Sequence, residues 1–437
     1  MAGATHDPVA DRLQAVGLEF GHGLALDLSR ITAALDALGR PQDHLPPVIH
    51  VAGTNGKGST CAFLRAIAEA AGLRAHVFTS PHLIHARERV RLAGQLVSDE
   101  DFIAAIDEVA DCGVRVTFFE TVTAAAFLLF ARQPADVVIL EVGMGGLHDA
   151  TNVIAAPALS VITPVDLDHQ AFLGDTIAAI AVQKAGILKP GRPALIGRQT
   201  EDGRAAIERE AERIGAPLWT HGQDFDAFAT PNGFAVQTPE RFLDLPMPSL
   251  LGPHQIDNAG LAVAAGLAWG HPAINADAVA AGVMTARWPG RLQPLTDGAI
   301  GALARQTQTA FFADGAHNAH GARALAAALN HLSAKAPART VLVFGMFANK
   351  DVAASLKALT TAIDALIAVP VKGQRAHADP ALLAQAAQDL GLSSQTADDL
   401  QEALPRAAEL AGPGGRVVIC GSLHLAGEAI AAAGGID

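Results

Sequence analysis

The sequence predicts an α/β protein of two domains, each with a mostly parallel sheet covered by helices. Three observations predict it. Short apolar runs alternate with Ala-rich helical segments almost from end to end, the pattern of strand–helix–strand units. A glycine-rich turn joins the first clear strand to the helix after it. The 437 residues, at roughly 100–200 per domain, leave room for about two to four domains with real cores.

The elements follow in order. Val48–Val51 reads as a buried strand and Ser59–Ala71 as the next helix. Ala75–Thr79 reads as a strand, then Asp99–Val109 as a helix that Ser98 caps, its hydroxyl suiting an orphan backbone N–H. Thr121–Ala131 is a helix, Val137–Glu141 and Leu159–Thr163 are strands, and a helix lies near Thr176–Lys184. Phe225–Pro253 breaks the rhythm with prolines, phenylalanines and few helix formers, so an antiparallel or irregular insert is expected there. Alternation resumes after Leu295. Phe311–Ala313, Thr340–Phe344, Ala365–Val369 and Arg416–Ile419 read as strands. Helices are expected near Ala322–Leu332, Val352–Leu359, Ala381–Leu390 and Asp398–Leu410. The Trp288-Pro289-Gly290-Arg291 turn ends regular structure, so domains over 1–293 and 294–437 are expected.

Composition excludes several classes. Half the residues are apolar and only 17% charged, against the ~25% that is typical, so the chain is not disordered. A net charge of −13 argues against nucleic acid, which needs a basic footprint. Small anions remain admissible, because helix N-termini and a few cations hold them locally. Cys61, Cys112 and Cys420 have neither zinc spacing nor a disulfide framework, which suits a reducing cytosol. The start of the chain lacks a signal-peptide layout, and the longest strongly apolar stretch, Val122–Ala131, is about half the ~20 residues a membrane span needs. A cytoplasmic protein without membrane or nucleic-acid partners, and a monomer, is expected.

The clearest motif is Gly53-Thr54-Asn55-Gly56-Lys57-Gly58-Ser59-Thr60, set between a strand and a helix. Glycines let backbone N–H groups turn toward phosphate oxygens, the lysine adds a point charge, and the helix N-terminus adds its dipole. Only two residues separate Gly53 from Gly56, fewer than in the longer phosphate-loop form. Four weaker signals follow strands that should share one sheet edge. Glu141 ends an apolar strand and suits an oxygen-seeking cation. Ser80 ends another, His169 follows a third, and Lys184 lies on the helix after it. Singly, these residue types are more often a solvated Glu, a Ser-Pro turn, a loop histidine and a surface lysine.

Together the motifs resemble the Mur ligase superfamily, and more closely the folylpolyglutamate synthase/dihydrofolate synthase family. The matching stretches include VAGTNGKGST (51–60), TSPHL with ERVR (79–83 and 88–91), TFFE (117–120), ILEVGMGGLHDATN (139–152) and LDH (167–169). They continue through QKAGILKPG (183–191), LLGPHQIDNA (250–259), WPGRLQ (288–293), DGAHN (314–318), GMFANKD (345–351) and GSLHLAGE (421–428), in the family's order.

The resemblance implies a P-loop ATPase domain joined to a smaller Rossmann-like domain. It implies an ATP-dependent ligase that adds L-glutamate to 7,8-dihydropteroate and to folates through an acyl phosphate. Thr54, Asn55, Gly56, Lys57, Gly58, Ser59 and Thr60 would hold phosphates. Asn258, Arg291 and Asp314 would contact nucleotide. Ser80, Glu141 and His169 look like magnesium ligands, for one or two Mg²⁺. Lys184 matches a lysine that is carbamylated in relatives. Thr117, Phe118, Phe119, Glu120, His148, Asp149 and Ala150 match stretches lining the pterin or pteroate site. His317 and Ser422 would face the incoming glutamate. Leu147-His148 replaces a common Arg-Leu, Ala319 a proline, Asn349 an acid and His424 an aromatic such as Tyr. Two alternatives stand beside this reading. One is another Mur-type ligase acting on a cell-wall precursor; the other is a P-loop nucleotide-binding protein without ligase chemistry.

Overall fold

The computed structural model describes residues 6–16, 27–372 and 376–435. It divides into two compact units, 6–249 with 256–287, and 250–255 with 288–435.

The first unit is built on β1 (Val48–Ala52), β2 (Ala75–Phe78), β3 (Val90–Leu92), β4 (Gln95–Leu96), β5 (Val137–Glu141), β6 (Leu159–Ile162), β7 (Ala194–Ile196) and β8 (Leu218–Thr220). They form one sheet in the order β4-β3-β2-β5-β1-β6-β7-β8. β2 through β8 in that order are mutually parallel, and β3 and β4 close one edge antiparallel. Consequently the phosphate loop, Thr79-Ser80, Glu141 and Thr163–His169 all leave the same sheet edge. The order reverses around β1, the place where open α/β sheets form ligand crevices.

Helices cover both faces. Asp99–Asp111 and Phe118–Arg132 bury Phe102, Phe127 and Phe130 with Val48, Phe78, Val138 and Leu140. Each fully buried ring contributes about 1.5–3 kcal/mol. Ile177–Ala185 and Glu201–Ile214 cover the other face, over Ala52, Ile162 and Ile196. The helix expected from Thr121 starts at Phe118, because Thr117 and Glu120 form a capping box in front of it. The expected insert is an antiparallel meander of β9 (Asp226–Thr230), β10 (Gly233–Gln237) and β11 (Phe242–Pro246). It lies tightly on the helix His254–Trp269, where a Cβ on Gly260 would overlap Ala227.

The second unit carries β12 (Gln293–Pro294), β13 (Ala310–Ala313), β14 (Thr340–Phe344), β15 (Ala365–Ala368), β16 (Ser393–Thr396) and β17 (Arg416–Cys420). Their order is β12-β13-β17-β14-β15-β16, parallel except for β12. The expected division at 293/294 falls inside β12; the change of unit comes at Trp288, and Leu250–Gln255 also belongs here. Pairing of Gln293 with Ala313 ties the end of the WPGRLQ stretch into this sheet. β16 carried no sequence signal, because its Ser-Ser-Gln-Thr is a polar edge strand.

Candidate active site

Gly53 leaves β1 at φ +148, where a Cβ would overlap the Thr163 hydroxyl. Gly56 caps the helix Lys57–Ala70 at φ +89, and a Cβ there would overlap the Asn258 amide. Both positions therefore exclude side chains on two grounds, backbone conformation and close approach. The loop is fastened to the segment after β6. Thr54 N donates to Pro164 O at 3.0 Å, Thr54 Oγ1 to Asp166 O at 3.0 Å, and Thr163 Oγ1 to Asn55 O at 2.7 Å. Lys57 Nζ curls back onto Gly53 O at 3.1 Å and Thr54 O at 3.3 Å. Gly58 is buried in the first turn. Ser59 and Thr60 beside it are 1% and 0% exposed, and neither hydroxyl has a hydrogen-bond partner. Two orphaned buried hydroxyls on a phosphate loop suit an oxygen-bound cation and its nucleotide.

Glu141, 3% exposed, ends β5 and accepts from Ser80 N at 3.2 Å, which brings two predicted ligand positions together. His169 sits in the left-handed region at φ +51, capping the turn Gln170–Leu173 beside Asp168. Its segment is the one fastened to the phosphate loop. Among the described residues, no three His, Cys, Asp or Glu side chains form a metal-holding group. A divalent ion here would complete its shell with the Ser80 hydroxyl, phosphates and water, as Mg²⁺ commonly does.

Lys184 is the buried lysine of the site. It is 4% exposed and donates to Gly53 O at 2.7 Å. Burial, reinforced by the charge of Lys57, pushes its pKa down to about 7. The loop after Glu141 wraps its helix. Leu147 N donates to Gln183 O at 2.7 Å, and Asn152 Nδ2 spans Leu147 O and Gly186 O at 3.0 and 3.1 Å. Gly146 and Gly186 permit this approach, since a Cβ on either would strike backbone. Asp149 is buried and structural in its contacts: it accepts from Met144 N at 2.8 Å, Thr151 N at 3.0 Å and Thr151 Oγ1 at 2.6 Å. Burial raises its pKa against those hydrogen bonds. Ala150 is buried behind it, whereas His148 is exposed.

The segment 117–120 has more packing work than the sequence suggested. Thr117 Oγ1 accepts from Glu120 N at 3.3 Å, and Glu120 Oε2 accepts from Thr117 N at 2.7 Å. Glu120 also takes a fork from Arg30, with Nη2 at 3.1 Å from Oε1 and Nε at 3.3 Å from Oε2. Phe119 lies against Gly143, whose missing Cβ makes room for the ring. Phe118 lies under the Arg89 guanidinium, 5.5 Å from the ring centroid. Glu88 gathers the amides of Leu83, Ile84 and His85 at 2.8, 2.9 and 2.6 Å.

In the second unit, Asp314 accepts from Leu292 N and Ala316 N, both at 2.8 Å. Its pKa is raised by burial, with Arg291 opposing. Arg291 Nη1 donates to Gly290 O at 2.9 Å and packs beside Gly315, while Leu292 sits at φ +42. His317 bonds Gly315 O at 2.8 Å through Nδ1. Ser422 caps the helix Leu423–Ala432, accepting from His424 N at 3.2 Å. His424 meets Phe347 edge-on at 5.4 Å. The structure thus gathers the predicted residues as two sets, one in each unit.

The Mur ligase middle domain matches residues 51–266, and the Mur ligase glutamate ligase domain matches 301–423. The folylpolyglutamate synthase of Lacticaseibacillus casei is 33% identical over 419 residues, covering 92% of each chain. The chain belongs to the folylpolyglutamate synthase family. Solved family structures agree over the whole length. The E. coli FolC in complex with DHPP and ADP superposes with a TM-score of 0.87 at 31% identity, covering 98% of both chains. A bifunctional folylpolyglutamate synthase/dihydrofolate synthase with Mn, AMPPNP and L-glutamate bound gives 0.85 at 32%, again covering 98% of both. No helix among the described residues is long and apolar enough to cross a membrane.

Within this synthase fold, sequence reading missed Arg30, Glu88, Arg89 and Asn152 as residues that shape the site. Two signals were present. Thr-x-x-Glu before an apolar run is a capping-box pattern, and it identifies Glu120, the partner of Arg30, as a structural carboxylate. Arg89 stood in the matched ERVR stretch, but its 7% exposure and its 2.9 Å bond to His82 Nδ1 follow from the folded loop alone.

Proposed function

We propose that this chain is an ATP-dependent amide ligase that joins L-glutamate to the carboxyl of 7,8-dihydropteroate and of reduced folates. One observation carries the reading: a phosphate loop with two unpartnered buried hydroxyls shares a sheet edge with the buried Glu141, which accepts from Ser80 N. A carboxylate is a poor electrophile, because its charge repels nucleophiles and oxide leaves badly. Its oxygen attacks the γ-phosphorus of ATP, and the bond from that phosphorus to the bridging oxygen breaks, releasing ADP. The glutamate α-amine then attacks the acyl phosphate carbon, phosphate departs and the amine loses a proton.

Thr54–Thr60 hold the phosphates, and Lys57 places its charge where the γ-phosphate is transferred. Asn258, Arg291 and Asp314 contact nucleotide; His317 and Ser422 receive glutamate. Ser80, Glu141 and His169 would hold a divalent cation, which when bound neutralises charge on the transferring group. Thr117–Glu120 and His148–Ala150 border the acceptor, and their retention supports action on dihydropteroate as well as folates. Lys184 is read as a carbamylation site. Its neutral amine adds CO₂, forming an N–C bond and losing a proton, and a pKa of about 7 keeps that amine available.

The test is phosphate release with Mg-ATP and L-glutamate in the presence of dihydropteroate, tetrahydrofolate or neither, with product masses read out. Release with each acceptor, and one glutamate residue added to each, is expected. Release with one acceptor alone overturns bifunctionality, and release with neither overturns the ligase reading. For Lys184, labelled bicarbonate should give a carbamate carbon signal that Lys184→Ala lacks.

A further inference from the structure

His50 has no part in the chemistry above, yet it is a polar residue at the centre of the sheet. It lies in β1, paired to Leu140 of β5 and Ser160 of β6, and is 0% exposed. Such a position ordinarily holds Val or Ile, because a parallel strand is buried on both faces. Its Nε2 is 2.8 Å from Thr151 Oγ1. That hydroxyl lies 2.6 Å from Asp149 Oδ1, and the other oxygen of Asp149 takes Met144 N. Met144 stands in the glycine-rich loop three residues after Glu141.

Proton positions follow from this chain. Thr151 has one hydroxyl proton, and the carboxylate takes it. Its oxygen must therefore accept from His50 Nε2–H. The His50 Nδ1 is then a bare lone pair, and it has no partner. Reversing the chain would put an unpartnered N–H at that buried nitrogen, with a proton on Asp149. Burial, with the charge of Lys189 adding to it, holds His50 far below the usual histidine range, at about 3. The imidazole thus stays neutral and acts as a fixed donor.

We propose that His50 is a positioning residue: acting through Thr151 and Asp149, it sets the loop 142–152 that borders the acceptor carboxyl. This rests on the acceptor reading of Asp149 given above. Because His50 is two residues before Ala52 and the phosphate loop, the same strand sets both the nucleotide end and the acceptor loop of the site.

The experiment measures KM for 7,8-dihydropteroate and for ATP in His50→Leu, Thr151→Val, their double variant, His50→Gln and Asp149→Asn, each with its thermal midpoint. The leucine substitution removes the donor and the valine substitution removes the relay; glutamine can return an amide N–H near the place of Nε2. We expect KM for dihydropteroate to rise about tenfold in His50→Leu and in Thr151→Val, the worth of one buried hydrogen bond. The double variant should be no worse than either single one, because they break one chain. His50→Gln should recover most of the loss, and KM for ATP should stay within about twofold throughout. A purely structural histidine would move the thermal midpoint and leave the two KM values in step. Multiplying effects in the double variant, or an unchanged acceptor KM in Thr151→Val, would overturn the proposal even if His50→Leu fails to fold. If Asp149→Asn leaves the acceptor KM unchanged, the acceptor reading itself fails. If Asp149→Asn raises it and His50→Leu does not, the positioning role alone falls.

Discussion

Glu141 in the first unit and Asp314 in the second occupy equivalent places: each is a buried carboxylate where a parallel strand of its sheet ends. Their surroundings differ. Asp314 commits both oxygens to backbone, Leu292 N on one and Ala316 N on the other, and so closes the turn in which Leu292 is held at positive φ. Glu141 takes the Ser80 amide at 3.2 Å, on the edge where the Ser59 and Thr60 hydroxyls have no partner. Strand-end placement therefore does not by itself define a role; hydrogen-bond assignment does.

The largest test of that contrast is Glu141→Gln. It should lower ligase turnover by about 10²–10³ or more, as removal of a key electrostatic group does, while the thermal midpoint moves little. A loss under tenfold would remove Glu141 from the centre of the chemistry. Breaking the bonds that fix the surroundings of the site should show in stability. Arg30→Ala leaves Glu120 buried without its fork, and we expect a loss of about 2–3 kcal/mol in denaturant unfolding. The pair is half-buried on the arginine side, which keeps the cost below that of a fully buried one. Asp314→Ala should cost about 2 kcal/mol, since two backbone amides lose their acceptor. Stability unchanged in Asp314→Ala would show that its bonds to Leu292 and Ala316 are dispensable.

A pH series sharpens the comparison at Lys184. Its folded pKa of about 7 lies below the ordinary 10.5, so between those values the unfolded chain binds more protons and stability rises with pH. Below pH 7 the burial penalty is fully present. Lys184→Met should therefore stabilise the unmodified protein most below pH 7, with the difference shrinking as pH climbs toward 10.5. A difference that stays flat across that range would contradict the depressed pKa. The smallest expected effect is Thr117→Ala, about 1 kcal/mol for one lost N-cap, read as a shift in the thermal midpoint.

Much of this was legible in the residues. The strands Val137–Glu141 and Thr340–Phe344 and the helix Val352–Leu359 fall where their patterns put them, because continuous apolar runs and a helical period are local signals. The meander after Phe225 was legible as a break in rhythm, though its register was not. The unit boundary was read a few residues late, since the pairing of Gln293 with Ala313 joins positions far apart in the chain.

By itself the sequence determined the alternating fold, the phosphate loop and the family, because spacing within a motif is short-range information. Tertiary structure alone decided how the carboxylates and histidines are used. Glu120 and Asp149 match substrate-lining stretches, and the fold adds what the motifs do not carry, the bonds to Arg30 and Thr151 that hold them in place. His50 looks like any residue of an apolar strand until Thr151, a hundred residues on, is brought within 2.8 Å of its ring. The reason is physical. A buried polar group takes its role from the partner that satisfies it, and that partner is chosen by packing across the sheet.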